Sequence, residues 1–426
     1  MGILSYSISN QNKNRFFERR IARTVRLLQN AMMPSETQTP PAKGASAQNL
    51  IFLLLCAGFV LNGIVICLIG PLLPLFREKW TLDDSHAGLF STMQFAFSLA
   101  GVLLSSQLIT AKGFKPAITI GLALLGIGFA LLNAPTFGLA LTASAIYGLG
   151  YGFATPGTNL WVGESYGERR ASALNIANLA WGVGAIASSP LALLAIHAAR
   201  VTLLLYVVGA LCALLAIFLF RMNFGQPPHH ENGLASDSGS ASFGAAIPLG
   251  ILFFVYVGTE VGTSYWAALH AQRATAWTGN SFTLAPMFFF AGLLGGRGAA
   301  AAILLRVKEV TVAIGGILLA AAGELLFLSS HFAVGLFAGA FFAGLGLSSL
   351  YPILVAWLSK WFGARARKVG GVMFALAAAG ASSMPALVGV VSRHANNSLR
   401  IGLLVPVAGC AIMLATVALL RPNRRG

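Results

Sequence analysis

GLGYGFATPGTNLWVGESYGERR, Gly148 to Arg170, and GLGLSSLYPILVAWLSKWFGARA, Gly344 to Ala366, carry one pattern written twice. At a constant offset of 196 residues, Gly148 meets Gly344, Leu149 meets Leu345, Gly150 meets Gly346 and Gly167 meets Gly363. Pro156 falls on Pro352, Trp161 on Trp357 and Arg169 on Arg365, and the register runs without a gap to Gly184 and Gly380. Glycines alone would be weak evidence in a chain with 48 of them. A proline, a tryptophan and an arginine in the same register weigh far more. The chain reads as two halves of similar construction.

Both segments lie in apolar surroundings. Of 426 residues 57% are hydrophobic and only 9% charged, with a mean hydropathy of +0.77. A soluble protein carries about 25% charged residues, and this much apolar surface cannot be hidden in one aqueous core. The chain is therefore an integral membrane protein. Each crossing helix needs about 20 apolar residues. Twelve runs meet that need, near 50–72, 86–109, 116–133, 138–162, 172–196, 201–220, 247–270, 282–304, 310–329, 332–358, 368–391 and 399–420. None shows the period-two alternation of barrel strands. The expected fold is all-α, with two pseudo-symmetric six-helix bundles over 49–221 and 247–421, joined by a polar linker at 222–246. Residues 1–48 read as a basic, disordered cytoplasmic N-terminal extension without a signal-peptide h-region; an amphipathic surface helix near Lys13–Arg26 and a translation start at Met32 or Met33 are equal alternatives for its first part. Residues 422–426 form a short tail.

Charge sets the orientation. The net charge is +16, and most Lys and Arg fall on one set of alternating loops, including Lys112, Lys115, Arg169, Arg170, Arg306, Lys308, Lys360 and Arg365. The other set holds Arg77, Lys79, Arg200, Arg273, Arg393 and Arg400. By the positive-inside rule both termini are cytoplasmic, in a bacterial inner (plasma) membrane. The basic excess is thus explained without nucleic acid. Cys56, Cys67, Cys212 and Cys410 lie in apolar runs without metal or disulfide spacing. There is no P-loop lysine motif and no HExxH, and GLGYGF lies inside a span instead of after a strand. The expectation is a non-enzymatic protein without cofactor or metal.

Span number, the six-plus-six break, the repeat and the basic loops resemble the major facilitator superfamily over roughly 48–421. The resemblance implies alternating access about a site between parallel halves. The loop SQLITAKGFKPA departs from the family pattern, with Thr110 where an acid three positions before Gly113 is usual. A narrower resemblance, to the fucose permease-like sugar symporters, rests on Tyr256, Val257-Gly258, Glu260 and Trp266 late in helix 7, with Gly296-Arg297 in helix 8 and Asn159 in helix 4. Fucose permeases place acids in helices 1 and 4, where this chain offers Asn62 and no central acid. That speaks against fucose itself.

Glu260 and Glu324 are the two acids inside spans, and a charge there costs about 3 kcal/mol or more unless it faces the bundle interior. Both are proton-coupling candidates, with a sodium ion as the alternative. Tyr256, Glu260 and Thr263 follow i, i+4, i+7 spacing, which places them on one helix face. Asn62, Gln94, Asn159, Asn178, Trp181, Tyr256, Thr263, Trp266 and Tyr351 are the substrate-binding candidates. Amides bond hydroxyls in either direction and an indole stacks on a sugar ring; helix–helix adhesion explains the same asparagines as well. Glu164, Arg169 and Arg297 read as gating or structural charges, Arg297 as an internal partner for a glutamate or backbone carbonyls. A lone cavity cation tilts the reading toward a neutral, polyhydroxylated solute. The expected function is proton-coupled symport of a sugar or other small neutral polar solute, by a chain working as a monomer. A drug or metabolite efflux antiporter of the same fold is the alternative, and a non-transporting membrane sensor ranks third.

Overall fold

A computed structural model of the chain describes residues 43–224, 246–277 and 279–420. It divides into two units, Met1–Leu50 and Ile51–Gly426. The first is described only from Lys43, as helix; the surface helix near Lys13–Arg26, most of the linker and the tail lie outside the described residues. Everything below concerns the second unit.

The described residues contain helices and no strand. In chain order they are α1 Lys43–Lys79, α2 Asp84–Lys112, α3 Phe114–Leu131, α4 Phe137–Ser165, α5 Arg170–His197 and α6 Val201–Arg221. The second set is α7 Ala246–Ala274, α8 Ala285–Ile303, α9 Glu309–Ser329, α10a Ala333–Leu347, α10b Leu350–Phe362, α11 Ala366–His394, α12a Leu399–Gly402 and α12b Leu404–Leu419. Counting each broken pair once, eleven of these helices are long and apolar enough to cross a membrane. The nineteen-residue α8 occupies the twelfth position. The expected twelve-helix architecture is present. The sequence missed two breaks: α10 pauses at Ser348–Ser349, four residues before the position where Pro352 removes a backbone donor, and α12 pauses at Leu403.

The repeated glycines explain how the helices pack. A Cβ on Gly148 would fall on the Gln94 carbonyl of α2, and one on Gly344 on the Phe289 carbonyl of α8. Gly150 lies against Gly121 and Leu125 of α3, and Gly346 against Gly316 and Ala320 of α9. Gly184 touches Val60 of α1, and Gly380 touches Phe254 of α7. Each position in the sequence repeat thus keeps its packing role in both halves. Lipid supplies no hydrophobic force between helices, so close backbone approach through small residues holds the bundle.

The halves meet mainly where α2 packs along α11, with a smaller contact of α5 on α8. Gly88 abuts Ala386, and Gly389 abuts the Asp84 carbonyl. Pro385 has no N–H for the Ala381 carbonyl, and Ser91 on α2 donates to that carbonyl at 3.4 Å. Thr92 donates to the Ser382 carbonyl at 2.9 Å, and Ser382 returns a bond to the Thr92 carbonyl at 3.1 Å. Among the described residues no comparable packing joins α4 or α5 to α10 or α11.

Candidate functional site

A cavity of about 370 Å³ lies between the halves, lined from α1, α2, α4 and α5 on one side and α7, α8, α10b and α11 on the other. Pockets of roughly 300–1,000 Å³ take small molecules. Gln94, Asn159, Asn178, Trp181, Tyr256, Glu260 and Tyr351 line this one, together with Arg297. Asn62, Thr263 and Trp266 do not.

The wall from the second half is charged. The Tyr256 hydroxyl donates to Glu260 Oε2 from one turn earlier on α7. Arg297 on α8 lies within electrostatic reach of Tyr256, Glu260 and Tyr351. It makes no direct ion pair with Glu260; the described ion pairs all involve Asp83 or Asp84. The Tyr256 and Tyr351 rings approach to 5.9 Å between centroids. Arg297 Nε is buried without a hydrogen-bond partner. Arg297 thus stands on the cavity wall, near Glu260 and Tyr256 and without a direct ion pair.

The wall from the first half is neutral. Gln94 accepts from the Tyr147 hydroxyl at 2.7 Å. Asn178 donates to the Leu174 carbonyl one turn back at 2.8 Å. Asn159 Oδ1, Thr155 Oγ1 and the Trp181 indole N–H are buried without partners. Trp181 meets Phe290 of α8 edge to face, with centroids 6.3 Å apart. Tyr151 and Thr155 were missed in the sequence, although Tyr151, Thr155 and Asn159 form an i, i+4, i+8 stripe on α4 that helical periodicity marks out.

Three placements differ from expectation. Thr263 does not line the cavity: the cavity face of α7 is centred near Val257, Glu260, Val261 and Ser264, and at about 100° per residue Thr263 lies on its flank, roughly 110° round. Its hydroxyl donates instead to Glu324 of α9, which is fully buried behind the wall and whose second oxygen has no partner. Trp266 does not line the cavity: it is fully buried, and its indole donates to the Pro385 carbonyl at 2.9 Å, tying α7 to α11. Asn62 is buried with its Oδ1 unpartnered. Glu164 and Arg169 are exposed and form no ion pair with each other, a setting in which pairing adds little.

The charge cluster joining the halves lies at the other end and was not foreseen. Asp84, at the start of α2, is fully buried. Arg273 of α7 grips both its oxygens at 2.7 and 2.6 Å, Ser392 of α11 donates at 2.6 Å, and Arg77 of α1 approaches to 3.3 Å. A bidentate guanidinium fixes orientation as well as charge. Beside it, Asp83 caps α2 through the His86 N–H at 2.8 Å and pairs with Arg393 at 3.3 Å. Tyr265 adds a bond to the Ala87 carbonyl at 2.5 Å. At the Asp84 end α1 and α2 are thus tied to α7 and α11. In the sequence only Arg77 stands near Asp83-Asp84; Arg273 and Arg393 come from distant loops, so no local pattern announced the cluster.

Twelve apolar helices around a cavity between two repeated halves, its wall bearing a carboxylate, a guanidinium and several amides, define a membrane solute carrier. The chain belongs to the Major Facilitator Superfamily, whose family model matches residues 55–322. Its fold is similar to that of a bacterial homologue of the human lysosomal transporter Spinster, in an inward-facing and occupied conformation, at 15% identity and a TM-score of 0.70, over 87% of this chain and 95% of that one. It is also similar to a variant of the Escherichia coli fucose:proton symporter FucP, at 20% identity and a TM-score of 0.57, over 88% and 99% of the two chains. No curated protein matches the chain by sequence.

Proposed function

We propose that the chain is a secondary active transporter working by alternating access, which imports a small polar solute together with a proton. The halves 49–221 and 247–421 rock about the cavity, with 222–246 as the tether. The observation that carries this reading is a carboxylate, Glu260, on the wall of a cavity between two halves that the Asp84 cluster ties together at one end. Glu260 is the leading coupling group, because its charge and the solute share one cavity. Glu324 is second, lying one layer behind. The Asp84 cluster acts as the gate at its end. By the distribution of basic loops that side faces outward, with both termini cytoplasmic in a bacterial inner membrane, and one chain suffices for transport.

Uptake into proteoliposomes under an imposed proton gradient tests the reading. Accumulation that collapses with a protonophore is the expected result. Movement that ignores the gradient would remove coupling. The many aromatic residues on the cavity wall favour a second reading, efflux of an apolar compound; outward, proton-driven loss of such a compound with no uptake of polar solutes would select it.

A further inference from the structure

We propose that the solute is a small organic monoanion, a carboxylate on a body with a flat apolar face, held by Arg297 and carried with the proton that neutralises Glu260. This rests on the transporter reading and names its substrate class.

The first observation is the state of Arg297. A guanidinium stays charged under all ordinary conditions, and a buried cation is costly without a paired anion. Among the described residues Arg297 makes no direct ion pair with a carboxylate and its Nε has no hydrogen-bond partner, so Tyr256 and the nearby Glu260 leave the guanidinium fork only partly engaged. Glu260 already accepts from Tyr256, and Glu324 is engaged by Thr263 away from the cavity. A carboxylate on the solute would satisfy the guanidinium fork directly. A neutral hexose would serve the amides and leave this cation as it is.

The second observation is what surrounds the cation. Trp181 of the first half and Phe290 of the second meet edge to face, each offering an aromatic face or edge, while the Trp181 N–H, Asn159 Oδ1 and Thr155 Oγ1 are unpartnered. These groups suit a ring that carries a hydroxyl or other small polar group.

Charge balance then links proton and anion. With Glu260 ionised, Glu260 and Arg297 cancel, and an added anion leaves a net negative charge in a low-dielectric site. With Glu260 protonated, the same anion restores neutrality. The other titratable groups around Glu260 are Tyr256 on α7, Tyr351 on α10b, Tyr151 on α4 and Cys67 on α1. Phenols and thiols are uncharged at neutral pH, which leaves Glu260 as the group that switches. Anion and proton therefore raise each other's affinity, as linkage requires.

The test is equilibrium binding of matched pairs to the purified full chain: glucuronate against glucose, and benzoate against benzamide. In at least one pair the acid binds about tenfold or more tightly than its neutral partner. Arg297→Gln removes that preference and Arg297→Lys keeps part of it. Acidification tightens acid binding by about tenfold or more in the native chain and leaves it level in Glu260→Gln. If Arg297→Gln fails to fold, the pair comparison and the pH profile of Glu260→Gln decide. Neutral partners binding as well as the acids, no binding by either acid, or acid binding untouched by Arg297→Gln overturns the proposal. Proton-linked uptake of glucose or benzamide would sink the anion and spare the transporter. Acid binding without passage across a bilayer would do the reverse.

Discussion

Gly148 lies on a carbonyl of α2 as Gly344 lies on one of α8, and the pairing continues through Gly150 with Gly346 and Gly184 with Gly380. The polar residues do not follow. The first half gives the cavity Gln94, Thr155, Asn159 and Asn178, all neutral, whereas the second gives it Glu260 and Arg297. Even the repeated tryptophans diverge. Trp357 donates to Glu309 of α9 at 2.7 Å, while the Trp161 indole is buried without a partner. The lesson is that the repeat specifies how backbones approach, and each half is then free to carry different chemistry.

If the glycines are equivalent, breaking either should have the same, very large effect. Gly148→Val and Gly344→Val each place atoms on a backbone carbonyl that cannot move aside, and overpacking of this kind costs about 1–3 kcal/mol or more. Both variants should fail to give monodisperse protein on size exclusion. Normal behaviour of either one would break the equivalence.

The gate also depends on unlike halves, since the acid comes from one and its bidentate arginine from the other. Asp84→Ala leaves Arg273 and Arg77 facing each other. After screening of these partly exposed guanidinium groups, the loss should be on the order of 1–2 kcal/mol. Spin-label distances between the Asp84 ends of α2 and α11 should lengthen; an unchanged distribution would show that helix packing alone holds the end shut.

A smaller effect comes from Asp83, which lies in the loop before α2. Burial pushes its carboxyl up, but hydrogen bonds from His86 and the charges of His86 and Arg393 outweigh that and hold it below the usual range. Its contribution is present above the ordinary carboxylate range and is lost as pH falls through the lowered value. The same spin-label distance should therefore lengthen in strong acid, less steeply in Asp83→Asn. Identical acid profiles for native and variant would remove Asp83 from the gate.

The smallest effect separates the tryptophans. Trp357→Phe should lower thermal stability by about 1 kcal/mol more than Trp161→Phe through its lost hydrogen bond. Equal melting shifts would erase that difference between the halves.

The fold was legible because its determinants are local and periodic. Twelve apolar runs and one gapless repeat need no knowledge of contacts, and the residue types at Gly148 and Gly344 announce close approach. The cavity was partly legible: Glu260, Asn159 and Trp181 stand out as polar or amphipathic groups inside oily runs. Three features were hidden. Thr263 shares a nominal face with Glu260, but the orientation of α7 is set by its neighbours, which turn that hydroxyl toward Glu324. Trp266 carries a motif resemblance, yet its indole bonds the Pro385 carbonyl on a helix 119 positions later. Asp84 and Arg273 are 189 positions apart, and no local pattern pairs them.

The unlike walls imply a division of labour, in which the second half couples and the first half only holds the solute. Solute exchange and solute-driven proton flux, measured side by side in proteoliposomes for Glu260→Gln and Asn159→Ala, would decide it. Glu260→Gln should keep exchange and lose proton flux, while Asn159→Ala should weaken both together. Parallel loss of both activities in both variants would contradict the division and make Glu260 one more residue that holds the solute.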